Sequence, residues 1–452
     1  MFTSRFGIGC HRHHTSARLA RQALLAAICA LLLPLSAGAQ PTQTPGLTLE
    51  RALLMSQQHS RQMAAQEAVA QSARQMAIVA GQPPDLTLKL GINNLPVTGR
   101  DQFNLTNDFM TMTSIGVMKE LTGSAKLKAR AARFEREAEV ADANRAMAQI
   151  NLQRDTATAW LDRHFLERMR ELLQAQRDEG KLQIEAAEAA YRGGRGTQAE
   201  VFAVRSAVAL MDDRLKQSQQ QVLMAQTRLV RWVGPEGARM LAAPPDLSTV
   251  GSHLEKVDDL ETLLKNHPHV AVLDRQEAVA RAEVNVAQTE KKADWSMELM
   301  FNQRGPAYSN MVSINFSVPL QGNQAQRQDR ELAAKLALVD QMQAQREEAI
   351  REHVAETRAW LQQWQGNRQR LMAYDNSLIP LSRQRTQAAL AAYRGNGPLL
   401  AVLEARRIEI ETQMDRLRLE METAGLWAQL NHLVADGHDV ANMQTPATAQ
   451  GK

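Results

Sequence analysis

Few side chains in this sequence stand at spacings that could do chemistry. His267 and His269 flank Pro268, and two imidazoles so placed could chelate a cation only with help from elsewhere in the chain. A solvated helix start accounts for the same pair. Thioethers are soft ligands suited to Cu(I) or Ag(I), but the 20 methionines are scattered, as gap-fillers of helical packing would be. Met110 and Met112, at strand spacing, are the one pair placed for a transient contact. There is no glycine loop to cradle phosphate, no serine nucleophile elbow and no His-Glu-x-x-His pair. The expectation is a non-enzyme with no catalytic residue, no resident cofactor and no structural metal. Acids and cations recur instead beside two glycine-rich breaks, Gly193-Gly194-Arg195-Gly196 and Gly395-Asn396-Gly397-Pro398. What those residues do depends on the elements that carry them.

The chain opens with Arg5, Arg12, Arg18 and Arg21, an apolar run over 23–35, and small residues through Ala39. That is the layout of a secretory signal peptide over 1–39. The run is too short, and its exit too rich in small residues, for a comfortable membrane span. Its four arginines account for the whole formal excess of +4, so the chain that follows is neutral and nucleic acid is not an expected partner. Both cysteines, Cys10 and Cys29, also fall here, which leaves no thiol for disulfides or thiolate metal sites after cleavage. Cys29 has more apolar residues after it, a poor setting for a lipid-modified N-terminus.

No later stretch approaches the roughly 20 apolar residues of a membrane helix, so a membrane crossing would have to be made by strands. Aromatic residues are only 4% of the chain, low for ordinary compact cores and suited to long, thin helical packing. The sequence repeats at a spacing near 200: Ala189-Ala190-Tyr191-Arg192-Gly193 recurs as Ala391-Ala392-Tyr393-Arg394-Gly395, Trp160 recurs as Trp360, and Gly123 as Gly322. We read a tandem duplication, with a first repeat over 40–240, a linker over 241–257, a second repeat over 258–436 and a polar tail over 437–452.

Each repeat opens with helical periodicity, over 47–80 and 258–291, and then turns to period two. Residues 85–93, 293–302 and 311–318 alternate apolar and polar; 110–121 does so with a slip near Ser114-Ile115, which predicts a bulge. Half-buried hairpins on a soluble core would alternate in the same way. The following rods decide against a compact core: a helix over 124–192 would be about 100 Å long. Each glycine-rich break then reads as the tip of an antiparallel helical hairpin, with Gly193, Gly194, Gly395 and Gly397 making the turns. Four strands cannot close a membrane barrel, and an open edge in lipid leaves backbone groups unpaired, so closure needs other copies. Three would supply twelve strands. The expected fold is mainly α with membrane β: long helical hairpins forming an α-barrel, and four strands per chain in a β-barrel closed by other copies, of which a trimeric twelve-stranded barrel is one solution.

This pattern resembles the TolC-like outer-membrane efflux proteins over essentially the whole mature chain. Its tip signatures are Tyr191-Arg192-Gly193-Gly194 and Tyr393-Arg394-Gly395-Asn396-Gly397, followed by Glu200-Val201-Phe202 and Val402-Leu403-Glu404-Ala405. Gly91-Ile92-Asn93-Asn94-Leu95-Pro96-Val97 with Ile115-Gly116-Val117-Met118 looks most like the heavy-metal branch, the partners of CusA- or CzcA-type cation pumps. The resemblance implies a homotrimer in the outer membrane that extends into the periplasm and docks on a periplasmic adaptor and an RND-type inner-membrane pump. It implies a passive duct for heavy-metal cations (Cu/Ag or Co/Zn/Cd), opened by an iris movement of the tips. It also makes Tyr393, Arg394 and Glu404, with Tyr191, Arg192 and Glu200, the candidate periplasmic gate. Ala401 departs from the family, standing where a second acid of the tip would fall. Glu200 and Glu404 also read as ordinary acids of a helix N-terminus, and two readings stay open beside this one: the same duct for drugs or secreted substrates, and a soluble periplasmic coiled-coil adaptor.

Overall fold

The computed structural model describes residues 46–251, 254, 260–395 and 397–434; the signal peptide expected over 1–39 and the tail over 437–452 lie outside the described residues. The first helical stretch is two helices, α1 (Leu49–His59) and α2 (Arg61–Ala80), where one was expected. Ser60 leaves the helical region at φ −69° and ψ 116°, consistent with the preference of serine for helix ends. The second stretch also divides, into α5 (Leu260–Leu264) and α6 (Pro268–Glu290). Pro268 has no N–H to continue a preceding helix and starts a new one.

The first rod, α3 (Ser124–Arg192), is one helix of 69 residues, about 100 Å long, and α4 (Gln198–Val233) returns along it. The second rod, unlike the first, is not continuous. It begins at Gln328 after a 3₁₀ turn, runs as α7 (Gln328–Ala373), passes through a π-helical turn at Tyr374–Leu378 and resumes as α8 (Ile379–Arg394). Pro380, in the first turn of α8, withholds the N–H that a regular ladder needs, and the wider turn absorbs the gap. The return helix is α9 (Leu399–Asn431).

The rods are anchored by apolar packing around tryptophans. Trp160, fully buried, packs with Leu47, Leu49, Leu161, Phe165 and Leu229, and its indole N–H donates to Leu47 O at 3.0 Å. In the second half the buried tryptophan is Trp364, packed with Leu264 and Leu430, while Trp360, the sequence match to Trp160, is only partly buried against that cluster.

The strands β1 (Thr87–Asn93), β2 (Met112–Leu121), β3 (Trp295–Gln303) and β4 (Met311–Ser317) form one antiparallel sheet in chain order. Pairing of β2 is regular on both sides, from Thr87↔Met118 to Asn93↔Met112 and from Thr113↔Gln303 to Leu121↔Trp295, so the expected bulge is absent. The slip in the pattern has another cause. Met112 and Met118 lie on the polar face and Thr113 on the apolar one, so the hydrophobicity wavers while the register holds.

The register gathers the apolar residues on one face: Leu88 and Leu90 on β1, Ile115 and Val117 on β2, Leu299 and Phe301 on β3, Ile314 and Phe316 on β4. That face is bare, with Leu90 70% and Phe316 65% exposed. The other face carries Lys89, Ser114, Glu298, Asn302, Ser313 and Asn315; Lys89 pairs with Glu298 across β2, and Asn302 Nδ2 donates to Ser313 Oγ at 2.9 Å. Among the described residues, β1 and β4 each have one unpaired edge. No described helix is long and apolar enough to cross a membrane.

Candidate functional site

The two hairpin tips lie side by side. Ala187, Val201 and Val204 of the first pack with Leu399 and Val402 of the second, and Tyr393, half-buried, closes over this cluster. Tyr191, Arg192 and Arg394 are exposed at their helix ends. No hydrogen bond or ion pair among the described residues links the first set of expected gate residues with the second, so apolar packing brings the tips together.

Glu200 has a local task. Its carboxylate accepts from Thr197 N at 2.8 Å while Thr197 Oγ1 accepts from Glu200 N at 3.2 Å, a reciprocal capping box at the start of α4. Glu404 is exposed and accepts from Arg407 Nη2 at 2.6 Å. The hydrogen bond and charge of Arg407, with Arg385 beyond, hold its carboxyl below the ordinary range.

Of the four glycines expected to make the tip turns, one has a positive φ. Gly194 has φ +69°, whereas Gly193 at −82° and Gly395 at −95° are conformations open to any residue. Gly397 answers to close approach instead: a Cβ there would stand 2.8 Å from Ala392 O.

The polar contact between the hairpins lies above the tips. Arg406 of α9 pairs with Glu179 of α3 and reaches Glu409 on its own helix at 3.1 Å. Sequence reasoning missed this pair because its partners stand 227 residues apart; only the i, i+3 spacing of Arg406 and Glu409 was visible.

A second feature it missed runs along α6. Glu277, Glu283 and Glu290 are each held by two cations: Glu290 by Arg130 at 2.6 Å and Lys126 at 3.2 Å, both on α3, Glu283 by Lys335 of α7 at 2.7 Å and Arg133 of α3 at 3.3 Å, Glu277 by Arg346 of α7 at 3.4 Å and its own Arg281 at 2.6 Å. Burial alone would raise these carboxyls. The hydrogen bonds and charges of their partners outweigh it and hold all three below the usual range.

His267 and His269 meet a third histidine that sequence reasoning did not single out, His353 of α7. His269 Nδ1 lies 3.0 Å from His353 Nε2, and the rings of His267 and His353 pack tilted at 33° with centroids 4.0 Å apart. Burial, aided by His353, His269 and Arg154, lowers His267 to about 3. Burial and His353 also lower His269 against the pull of Glu352. Met110 and Met112 do not share a strand face, since Met110 lies in the loop and only Met112 enters β2.

This fold is the one found in outer-membrane channels. The outer-membrane channel OprN superposes with a TM-score of 0.70 at 18% identity, covering 85% of this chain and 89% of that one. The outer-membrane protein VceC of Vibrio cholerae gives 0.67 at 17% identity, over 85% and 95%. CusC, described in its transmembrane channel formation, gives 0.68 at 14% identity, over 86% and 93%. No family model and no curated protein matches the sequence.

Proposed function

We propose that the chain is one subunit of an outer-membrane efflux channel: a homotrimer in the outer membrane that reaches into the periplasm and serves as the passive duct of a tripartite system with a periplasmic adaptor and an RND-type pump. The observation that carries this reading is the bare apolar face of β1–β4 together with the two free edges of the same sheet. In water such a face is a liability; in lipid it is the required surface, provided that neighbouring copies pair the edges. The rods extend about 100 Å, a length suited to a tunnel between membranes.

The cargo we assign is heavy-metal cations. What supports it is the run through Gly91, Asn93, Pro96 and Met118 that resembles the heavy-metal branch. The gate we assign to the tips, with Tyr393, Arg394 and Glu404 as its second-hairpin side and Tyr191, Arg192 and Glu200 as its first.

Membrane fractionation with crosslinking tests the architecture. The expected product is a detergent-requiring trimer in the outer-membrane fraction; a monomer in the soluble periplasm, as a coiled-coil adaptor would give, overturns it. Tolerance of a deletion strain tests the cargo. Lost tolerance to copper, silver, zinc, cobalt or cadmium supports cations, and lost drug tolerance with metal tolerance unchanged overturns them.

A further inference from the structure

We propose that His269 and His353 bind a divalent transition-metal cation of the Zn²⁺, Ni²⁺ or Cu²⁺ class, which joins the start of α6 to the middle of α7. The two nitrogens face each other at 3.0 Å across the helix contact. Two imidazoles each about 2.0–2.1 Å from one cation stand about 2.9 Å apart at a right angle and about 3.3 Å apart in a tetrahedron. The observed separation falls between those values, so either one proton or one cation fits between the two rings.

The surroundings orient the pair for a ligand role. His353 has its other nitrogen, Nδ1, 3.5 Å from Glu356 Oε2, so a proton held on Nδ1 would face a carboxylate while the lone pair of Nε2 faces His269. His267 Nδ1 accepts from His269 N at 3.3 Å, fixing the first turn of α6, and its ring lies over His353 and limits the swing of that side chain. Neutral imidazoles of this kind suit Zn²⁺, Ni²⁺ and Cu²⁺ better than hard cations.

The three histidines line a cavity of about 160 Å³ together with a fourth, His432, and with Met147, Asn151 and Arg154. Water occupies about 30 Å³ per molecule, so the space admits a cation with its remaining water ligands. Arg154 would oppose a cation, but its guanidinium is engaged by Asp155 at 2.9 Å. Among the described residues no set of three or more His, Cys, Asp or Glu is placed to hold a metal, so the cation takes two protein nitrogens and completes its shell with water. Such a site exchanges its metal readily. It rests on these side chains alone and not on what the duct carries.

The test is titration of the purified full chain with Zn²⁺ and Cu²⁺, read by calorimetry and by nitrogen couplings in the Cu²⁺ paramagnetic spectrum. The wild type is expected to show a saturable equivalent per chain that His353→Ala and His269→Ala lose, and that Glu356→Gln weakens about tenfold. Any binding by His11, His13 and His14 persists in every variant and cancels in the comparison. If His353→Ala loses its helical circular dichroism, His269→Gln, whose amide can still hydrogen-bond His353, takes its place. A titration in which wild type and the folded variant are indistinguishable, whether both bind or neither does, overturns the assignment. Because the readout is metal binding by isolated protein, its failure is distinct from failure of the channel reading.

Discussion

At the scale of single residues, the tips separate glycines that geometry requires from those it does not. Gly194 at φ +69° should cost about 1 kcal/mol or more on replacement by alanine, and Gly397→Ala should cost at least as much through its contact with Ala392, while Gly193→Ala should be nearly neutral. Thermal unfolding of the purified protein checks the order. Arg406 carries a different prediction. Its pair with Glu179 ties the hairpins together near a partly exposed surface, a setting worth up to about 1 kcal/mol, or about fivefold in an open-to-closed ratio. Arg406→Ala should therefore raise open probability in planar bilayers by no more than that factor, and an unchanged channel would exclude the pair from gating. The positions of the tip residues were legible in the repeated Tyr-Arg-Gly motif. Their partners were less so: Glu200 reads as an acid of a helix N-terminus without naming Thr197, and Arg406 with Glu179 depends on long-range packing that spacing does not encode.

Among the elements, α6 works as a charged spine held between α3 and α7. Glu277, Glu283 and Glu290 titrate below their ordinary range in the fold, so their contribution is fully present above about pH 4.5 and is lost as pH falls through the lowered values. Melting temperature measured from pH 7 down to pH 3 should drop across that acid window, and the triple variant Glu277→Gln, Glu283→Gln, Glu290→Gln should melt lower at pH 7 and lose most of the slope. Helical and strand periods made the existence of these elements legible. Their interruptions were less so, because a break at Ser60 or a π turn before Pro380 costs the pattern only one residue of phase. The expected bulge failed for a related reason: Met112, Met118 and Thr113 follow the pleat of β2 while contradicting the polarity of their faces.

For the whole molecule, the sheet sets the sharpest test. Ile314 and Asn315 are neighbours on β4 that point to opposite faces. Arginine at Ile314 would meet lipid at a cost of about 2–4 kcal/mol near the bilayer midplane, whereas arginine at Asn315 would meet the polar side. Outer-membrane trimer yield should fall for Ile314→Arg and persist for Asn315→Arg, and equal yields would remove the membrane face from the sheet. The free edges of β1 and β4 carry a further consequence, a genetic one. In the proposed trimer each copy borrows both its seams from neighbours and has no private pore to fall back on. A copy that folds its rods but presents a spoiled edge should therefore be dominant: co-expressed in equal amounts with the intact chain, it would leave only about one ring in eight free of it. Efflux in such cells should fall far below the half expected of a protein that worked alone.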